Sequence, residues 1–460
     1  MDELNTAIWT YVFLPCFAFV GALLTLRCRA LQFRRFGLAL RSTVGSAARS
    51  RGGKGGVSPF EAASTALAAT VGTGNIVGTA QAIAMGGRGA VFWLWAAAFV
   101  GMAIKYTEIY LGILFRVKSG GEYTGGPMQY IERGLGARLA PLAGAYALLA
   151  ALSALCMGNM SQINGSVSSV LCALREFMPV SAGEEQALRF ALGGVLAAAV
   201  FAIMAGGAAR AGRLAARLVP FMGLLFILLT SAVAVCHAAR LPETLCGIVR
   251  EALSAKAALG GAGGFALKEA VHWGLRRSAF SNEAGLGTAA VIYASSSADS
   301  PEEQGLWGIF EVFADTIVGC TATALAILCS GVSIPWGFTP GPELLQAAFS
   351  TVFGHRASAL FICASMSLFG FSTVIGCSVC GAGCVRYLSG EPGVRVYRFV
   401  FSICTLIGSV MSTSFVWSAA DTVNVLMALP NFVALTALSG RAGRDARRFF
   451  FDARRAHHNP

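Results

Sequence analysis

The amino-acid sequence predicts an all-α integral membrane protein with about eleven transmembrane helices. Of its 460 residues, 55% are hydrophobic and only 13% are charged, and the mean hydropathy is +0.65, whereas a soluble domain carries about 25% charged residues. Apolar runs long enough to cross a bilayer recur along the whole chain. The net charge of +12 comes from Lys and Arg residues that lie between these runs. The predicted surroundings are therefore a lipid bilayer and not a nucleic acid.

The order of apolar runs and basic loops also predicts an orientation. The runs lie at 7–26, 60–85, 90–115, 141–172, 187–206, 214–237, 246–279 (interrupted), 305–331, 357–388, 396–414 and 416–438. With eleven spans, the arginine-rich loops and the basic tail fall on one side, which the positive-inside rule makes cytoplasmic. We expect a cell-membrane protein with its N-terminus outside and its C-terminus in the cytoplasm.

The chain is expected to divide into three parts. Residues 1–59 hold the first span and a basic loop, residues 60–440 form the core, and residues 441–460 form a basic cytoplasmic tail. The ten core spans separate into two sets of five, 60–238 and 246–440, which is the pattern of an inverted repeat.

The second span is interrupted by glycine. Gly72, Gly74 and Gly78 lie within seven positions, and each costs a helix roughly 1 kcal/mol relative to Ala. Unwound backbone at bilayer depth is tolerated where it lines a cavity, and its free N–H and C=O groups then form a site for a small ion or zwitterion. The alternative is close helix packing through small residues.

An inverted repeat predicts a second break, in the seventh span, and two stretches qualify. One is the glycine cluster 260–265, and the other is 281–287. A break at 281–287 would place Arg276 and Arg277 deep in the membrane, which is costly unless they are paired. A break at 260–265 lets roughly 22 Å of helix carry them to the cytoplasmic face, so we favour the glycine cluster and place 281–287 near the cytoplasmic mouth.

Polar side chains lie at the first break and in the ninth span. Thr73 and Asn75 offer oxygens beside unwound carbonyls, or cap a half-helix, and Gln81 faces the cavity or a neighbouring helix. Ser372 and Thr373 offer hydroxyls for a cation site, or bond to carbonyls of their own helix.

Charged residues within the spans are few. Lys105 and Glu108 lie one turn apart and are expected to pair. Glu311 and Asp315 share a helix face near the start of their span, where they could hold a proton or a cation, or where one of them reaches the cytoplasmic interface. Asp421 is expected at the interface. No group of residues suited to nucleophilic catalysis and no phosphate-binding loop is evident, so neither an enzyme nor an ATP-driven pump is expected.

Several motifs, in this order, resemble the alanine or glycine:cation symporter family. They are LAATVGTGNIVG at 67–78, the glycine pair at 86–87, GMAIKYTE at 101–108, GGPMQYIE at 125–132, FSNEAGLG at 280–287, FADT at 313–316 and CTAT at 320–323. The resemblance covers about 60–440. It implies a leucine-transporter-like fold with one extra N-terminal helix, and sodium- or proton-coupled uptake of small amino acids such as alanine or glycine.

One stretch departs from the family pattern. After FSTVIG at 371–376 the family usually continues with aromatic residues and a glutamate, whereas this chain has CSVCGA at 377–382. The three cysteines Cys377, Cys380 and Cys384 lie in an apolar helix without a histidine, so we interpret them as small packing residues rather than metal ligands. The departure leaves the substrate range open.

These observations predict specific contacts for substrate and ion. The substrate carboxylate is expected at Gly72, Thr73, Gly74 and Asn75, with Gln81 nearby. Its ammonium is expected at the carbonyls of Gly263, Gly264 and Phe265.

Sodium is expected between the carbonyls of Val71 and Gly74 and the hydroxyls of Ser372 and Thr373, with a proton as the alternative coupling ion. We expect no catalytic residue, no other cofactor and no other metal. One alternative is a channel or receptor that binds the substrate without coupling, and a less favoured one is a membrane enzyme. Accumulation of the substrate against its concentration gradient would distinguish a symporter from both.

Overall fold

The chain folds almost entirely into helices in the computed structural model, which describes residues 2–47, 57–119, 122–253 and 262–452. The helices of the first half are α1 Asp2–Ile8, α2 Leu14–Arg27, α3 Leu31–Arg34, α4 Phe36–Ala47, α5 Pro59–Thr70, α6 Thr79–Gly86, α7 Gly89–Leu114, α8 Pro127–Leu135, α9 Ala140–Leu155, α10 Ser161–Arg175, α11 Ala182–Ala205 and α12 Gly207–Cys236. Those of the second half are α13 Leu241–Leu253, α14 Ala262–Asn282, α15 Thr288–Ala294, α16 Pro301–Val312, α17 Thr321–Ser330, α18 Glu343–Phe353, α19 His355–Val410 and α20 Thr413–Arg447.

Short non-α segments join several of these helices. One antiparallel hairpin, β1 Val117–Ser119 with β2 Glu122–Thr124, follows α7. The 3₁₀ turns are Ala137–Leu139 and Ala238–Arg240, and the π-helical turns are Trp9–Phe13, Gly74–Gly78, Cys156–Met160, Phe313–Cys320 and Arg448–Asp452. Such π-turns are frequent at functional sites, and two of them flank the centre described below.

Eight helices are long and apolar enough to cross a membrane among the residues that the structure describes. The expected count of about eleven stays a prediction, because the two interrupted segments, 59–86 and 262–294, are not continuous spans. The 56-residue helix α19 also contains a sharp bend at Gly390, which has a φ of 66°, a conformation that favours glycine.

The first predicted break is present. Helix α5 begins with a capping box in which the Ser58 hydroxyl accepts the Glu61 N–H and the Glu61 carboxylate accepts the Ser58 N–H. The helix ends at Thr70, and Val71 turns away with a ψ of 90°. The chain resumes as a helical turn at Thr73 and the π-helical turn Gly74–Gly78 and continues into α6, so residues 71–72 are unwound as the glycines predicted.

The second break lies elsewhere than expected. Gly263, Gly264 and Phe265 belong to helix α14, which runs unbroken to Asn282, and among the described residues of this segment the chain unwinds between Glu283 and Gly287. Gly260 and Gly261 lie outside the described residues. The preference for the glycine cluster was wrong because it treated Arg276 and Arg277 as unpaired, whereas Arg276 has a buried ion-pair partner. The predicted span 246–279 is likewise two helices, α13 and α14.

Candidate functional site

The two breaks meet at the centre of the molecule through Asp315. A side chain at Gly74 would contact Phe280 and Ser281 at about 3.6–3.7 Å. The Asp315 carboxylate accepts from Asn75 Nδ2 at 2.8 Å on one oxygen, and from the hydroxyls of Ser281 and Thr316 on the other, both at 2.8 Å. Asp315 is 1% exposed. One buried carboxylate therefore joins the turn after the first break, the end of helix α14 just before the second break, and the π-turn Phe313–Cys320.

The unwound amides of the first break are held by neutral side-chain oxygens. The Gly72 N–H donates to Asn75 Oδ1 at 3.1 Å. The Thr73 N–H and hydroxyl both donate to Gln162 Oε1, at 3.3 and 2.9 Å. Two amide oxygens thus lie where a substrate carboxylate was expected, and they supply the same acceptor chemistry that a carboxylate would supply.

The ninth-span hydroxyls, predicted as cation ligands, differ from each other. Thr373 Oγ1 is buried and has no hydrogen-bond partner in the described part of the chain, and a methyl group at Gly72 would lie 2.6 Å from it. The Ser372 hydroxyl instead donates to the Phe369 carbonyl at 2.8 Å, the alternative foreseen from the sequence. The Gly74 carbonyl accepts the Thr79 N–H, so of these groups Thr373 has the most freedom to bind an ion.

Other predicted site residues lie away from this centre. Gln81 Nε2 donates to the Pro340 carbonyl at 3.2 Å, and Gln81 lines a cavity between α6 and α14. Gly263, Gly264 and Phe265 begin helix α14, and sixteen residues of helix, roughly 24 Å, separate Phe265 from Ser281. The structure does not bring this glycine cluster to the first break, and Phe280 and Ser281 lie there instead.

Buried charges surround the second break and correct the predicted pairing. Lys105 is 0% exposed and pairs with Glu311 at 3.0 Å rather than with Glu108, and its ammonium also donates to the Asn282 carbonyl at 2.7 Å. The Glu108 carboxylate accepts the N–H groups of Gly285 and Gly287, each at 3.0 Å. Opposite charges therefore satisfy the unwound backbone on both sides of Glu283.

The Asp421 side chain, predicted at the membrane interface, is buried within the protein. It pairs with Arg276 at 2.5 Å, and both side chains are 8% exposed. This ion pair supplies the partner that a deep arginine requires. The pair lines the same cavity as Gln81, and this cavity has a volume of about 530 Å³.

Two residues of the centre were missed from the sequence as binding groups. Gln162 lies in a polar stretch, Ser161-Gln162-Ile163-Asn164, just after the π-turn Cys156–Met160, and an uncharged polar cluster within an apolar span was the available indication. Ser281 lies in the FSNEAGLG motif, which was noticed but assigned to the cytoplasmic mouth. Asp315 was singled out as a charge, but its contact with Asn75 spans 240 residues of sequence.

Comparison with known proteins identifies the family. The model of the sodium:alanine symporter family matches residues 1–460. This chain belongs to that family. The sodium/alanine symporter AgcS of Methanococcus maripaludis is 36% identical over 445 residues, covering 96% of this chain and 94% of that protein. The probable sodium/glutamine symporter GlnT of Bacillus subtilis is 35% identical over 440 residues, covering 95% and 87%.

Solved structures show the same fold at low sequence identity. MhsT in complex with L-phenylalanine matches with a TM-score of 0.58 at 13% identity, covering 86% of this chain and 99% of that one. A manganese transporter of Eremococcus coleocola matches with a TM-score of 0.53 at 12% identity, covering 86% and 78%. The predicted leucine-transporter-like fold is confirmed. The protein is a multi-pass membrane transporter of a cation-coupled amino-acid symporter family, and not an enzyme.

Proposed function

We propose that this symporter couples sodium entry to the uptake of a small neutral amino acid, alanine or glycine, across the cell membrane. The N-terminus would lie outside and the C-terminus in the cytoplasm. The observation that carries the proposal is the Thr373 hydroxyl beside Gly72, which has no partner among the described residues and lies next to amides that neutral oxygens hold. Unwound backbone with hydroxyls and carbonyls suits a monovalent cation, and the adjacent amides suit a carboxylate.

The close contacts around Gly72 support a small substrate. A side chain at Gly72 would meet Thr373 Oγ1 at 2.6 Å and Gln162 Oε1 at 3.2 Å. An incoming carboxylate would displace Gln162 Oε1 from the Thr73 N–H, and Phe280 closes the site beside Gly74. The close approach of these groups leaves room for a methyl group more readily than for a long side chain.

The experiment is uptake of radiolabelled alanine and glycine into proteoliposomes under an imposed sodium gradient. Sodium-dependent accumulation above the outside concentration is expected, and replacement of sodium by potassium should abolish it. Substitution of Asn75 or Thr373 by alanine should lower uptake without preventing membrane insertion. Unchanged uptake in both variants would contradict the proposed site.

A proton is the second candidate coupling ion, and the buried charges favour it. Glu108, Glu283, Glu311 and Asp315 are each 1% exposed or less, and Lys105 is the ammonium among them. Four ionised carboxylates and one ammonium would leave three negative charges in the membrane interior, which is costly without protons or bound cations. Uptake driven by a pH gradient in the absence of sodium would favour this candidate.

A further inference from the structure

The cavity beside Gln81 holds a buried arginine that has no anionic partner among the described residues. Asn5 and Thr6, close to the N-terminus that is predicted to lie outside, line the cavity, and Arg276, Arg277 and Asp421 form another part of its wall. Arg276 pairs with Asp421. The guanidinium of Arg277 makes no hydrogen bond or ion pair with any described residue, although Arg277 is only 6% exposed. Two adjacent arginines thus differ in that one is neutralised and the other is not.

Aromatic contacts stabilise Arg277 without satisfying its N–H groups. The guanidinium carbon lies 5.2 Å from the centre of the Trp273 ring and 5.7 Å from that of Phe280, within the range of cation–π attraction. Such contacts use the ring faces and leave the edge N–H donors free. The Nε and Nη1 atoms are buried and lack acceptors in the described structure. An unpaired buried charge of this kind is costly unless an anion completes it.

The same cavity also contains acceptors without donors. Gln81 Oε1 and Asp421 Oδ1 are both buried and unpartnered among the residues that the structure describes, and both residues line the cavity with Arg277. Free donors on a cation and free acceptor oxygens therefore face one open space. A zwitterion offers a carboxylate for the first and an ammonium for the second, whereas an inorganic anion such as chloride would satisfy the donors alone.

We propose that Arg277, Gln81 and Asp421 form an outer binding subsite for a zwitterionic amino acid, in which the Arg277 guanidinium binds the carboxylate. The inference rests on the proposed function: the subsite would bind the transported amino acid before the amino acid reaches the amides of the first break. The Arg277 Cδ atom lies 3.7 Å from where a side chain at Gly78 would begin, so the subsite adjoins the π-turn that follows the first break. The Phe280 ring lies between Arg277 and Gly74. The carboxylate would pass from the guanidinium to the amides of Gly72 and Thr73.

The test is ligand-dependent thermal stability of the purified full-length protein in sodium-free buffer, where the inner cation site is empty. Alanine should raise the unfolding temperature in a saturable way. Arg277→Gln should lower the apparent alanine affinity at least tenfold, as expected for a lost charged hydrogen bond, and Arg277→Lys should be intermediate. Propionate, which has only the carboxylate, should compete in the wild type but not in Arg277→Gln.

Control variants distinguish binding at this outer subsite from binding at the central site beside Gly72 and Thr373. Arg175→Gln removes the same charge from an exposed ion pair with Glu185 on the same face, and its alanine affinity should match the wild type. Thr373→Ala, at the proposed cation site, should lose the enhancement of the alanine response by sodium, whereas Arg175→Gln should keep it. If Arg277→Gln does not fold, Gln81→Ala serves instead and should weaken alanine binding but leave propionate competition intact.

Two results would overturn the proposal. The first is unchanged alanine affinity in Arg277→Gln. The second is a stabilisation by chloride, measured against methanesulfonate, that disappears in Arg277→Gln while alanine binding persists, because the ligand would then be an inorganic anion. Absence of sodium-driven uptake in proteoliposomes would contradict the proposed function but would leave the binding test intact.

Discussion

At both helix breaks, backbone groups that have lost their helical hydrogen bonds are bound by side chains, but these side chains are neutral at the first break and charged at the second. At the first break, the amides of Gly72 and Thr73 donate to the neutral oxygens of Asn75 and Gln162. At the second, the amides of Gly285 and Gly287 donate to the buried Glu108 carboxylate, and Lys105 binds the Asn282 carbonyl. Bonds to charged groups are roughly twice as strong as neutral ones.

This difference indicates a division of roles. Neutral partners can be exchanged for a substrate carboxylate at small cost, whereas buried charged partners cannot leave without exposing an unpaired charge. The first break is therefore the one suited to bind and release a ligand. The second is suited to hold its own shape, and Asn431 strengthens it by donating to Glu108 Oε1 at 2.6 Å and to the Gly285 carbonyl at 2.8 Å.

The largest effect is expected from Glu108→Ala. It would leave the two amides and the Asn431 side chain without their shared acceptor, and Lys105 without one nearby countercharge. We expect a loss of about 3–5 kcal/mol in stability and little folded protein, measured by fluorescence-detected size-exclusion chromatography of detergent-solubilised membranes that contain the fluorescently tagged protein. Glu132→Ala, which removes a half-buried carboxylate bonded to Tyr387, is the control and should fold. Normal yield of Glu108→Ala would contradict the assigned role of the second break.

Gly72→Ala should abolish most uptake without unfolding the protein. The new methyl group would lie 2.6 Å from Thr373 Oγ1, and overpacking of this kind costs about 1–3 kcal/mol, so uptake should fall by about tenfold or more. Initial rates in proteoliposomes measure it. Gly144→Ala adds the same methyl group where nothing lies within 4 Å and should transport normally; equal rates in the two variants would show that the first break is not the constricted centre.

Gln162→Ala should lower the substrate concentration for half-maximal uptake moderately, because the carboxylate no longer has to displace Gln162 Oε1 from the Thr73 N–H. It removes the acceptor shared by the Thr73 N–H and hydroxyl, and one such hydrogen bond contributes about 1 kcal/mol. We expect a decrease of about fivefold in the substrate concentration for half-maximal uptake. Gln32→Ala, which removes a buried glutamine bonded to Thr25, is the matched control. If Gln162→Ala lost as much stability as Glu108→Ala, the two breaks would not differ in their contribution to the stability of the fold.

The smallest effect is expected from Ser372→Ala. Because the Ser372 hydroxyl is already bonded to the Phe369 carbonyl, its loss should change the sodium dependence of uptake less than about twofold. Thr373→Ala removes a hydroxyl with no partner in the described structure and should raise the sodium concentration for half-maximal uptake about tenfold. A larger effect of Ser372→Ala than of Thr373→Ala on the sodium dependence would indicate that Ser372, and not Thr373, binds the cation.

Part of the site could be predicted because its determinants are local. Gly72 and Gly74 weaken the helix in which they occur, and Thr373 lies at mid-span in an apolar helix; both features are visible in a short window of sequence. The partners could not be predicted in the same way. Lys105 was assigned to Glu108 because these residues are one turn apart, yet its ion pair is with Glu311, more than 200 residues later.

The position of the second break illustrates the same limit. Both glycine-containing stretches could unwind, and the choice depended on whether Arg276 and Arg277 could stay within the membrane. Asp421, which made this possible for Arg276, is 145 residues away in sequence. The favourable electrostatic energy of that pair exists only after α14 and α20 pack together, so no local pattern contained it.

The sequence by itself determined the helical membrane class, the first break and the family resemblance, because these follow from apolar run length, glycine content and short motifs. Only the tertiary structure decided which stretch forms the second break, which carboxylate pairs with Lys105, and that Arg277 lacks an anion among the described residues. Those outcomes depend on the distances and burial of groups far apart along the chain, since the energy of a charge within a membrane depends on its neighbours in space.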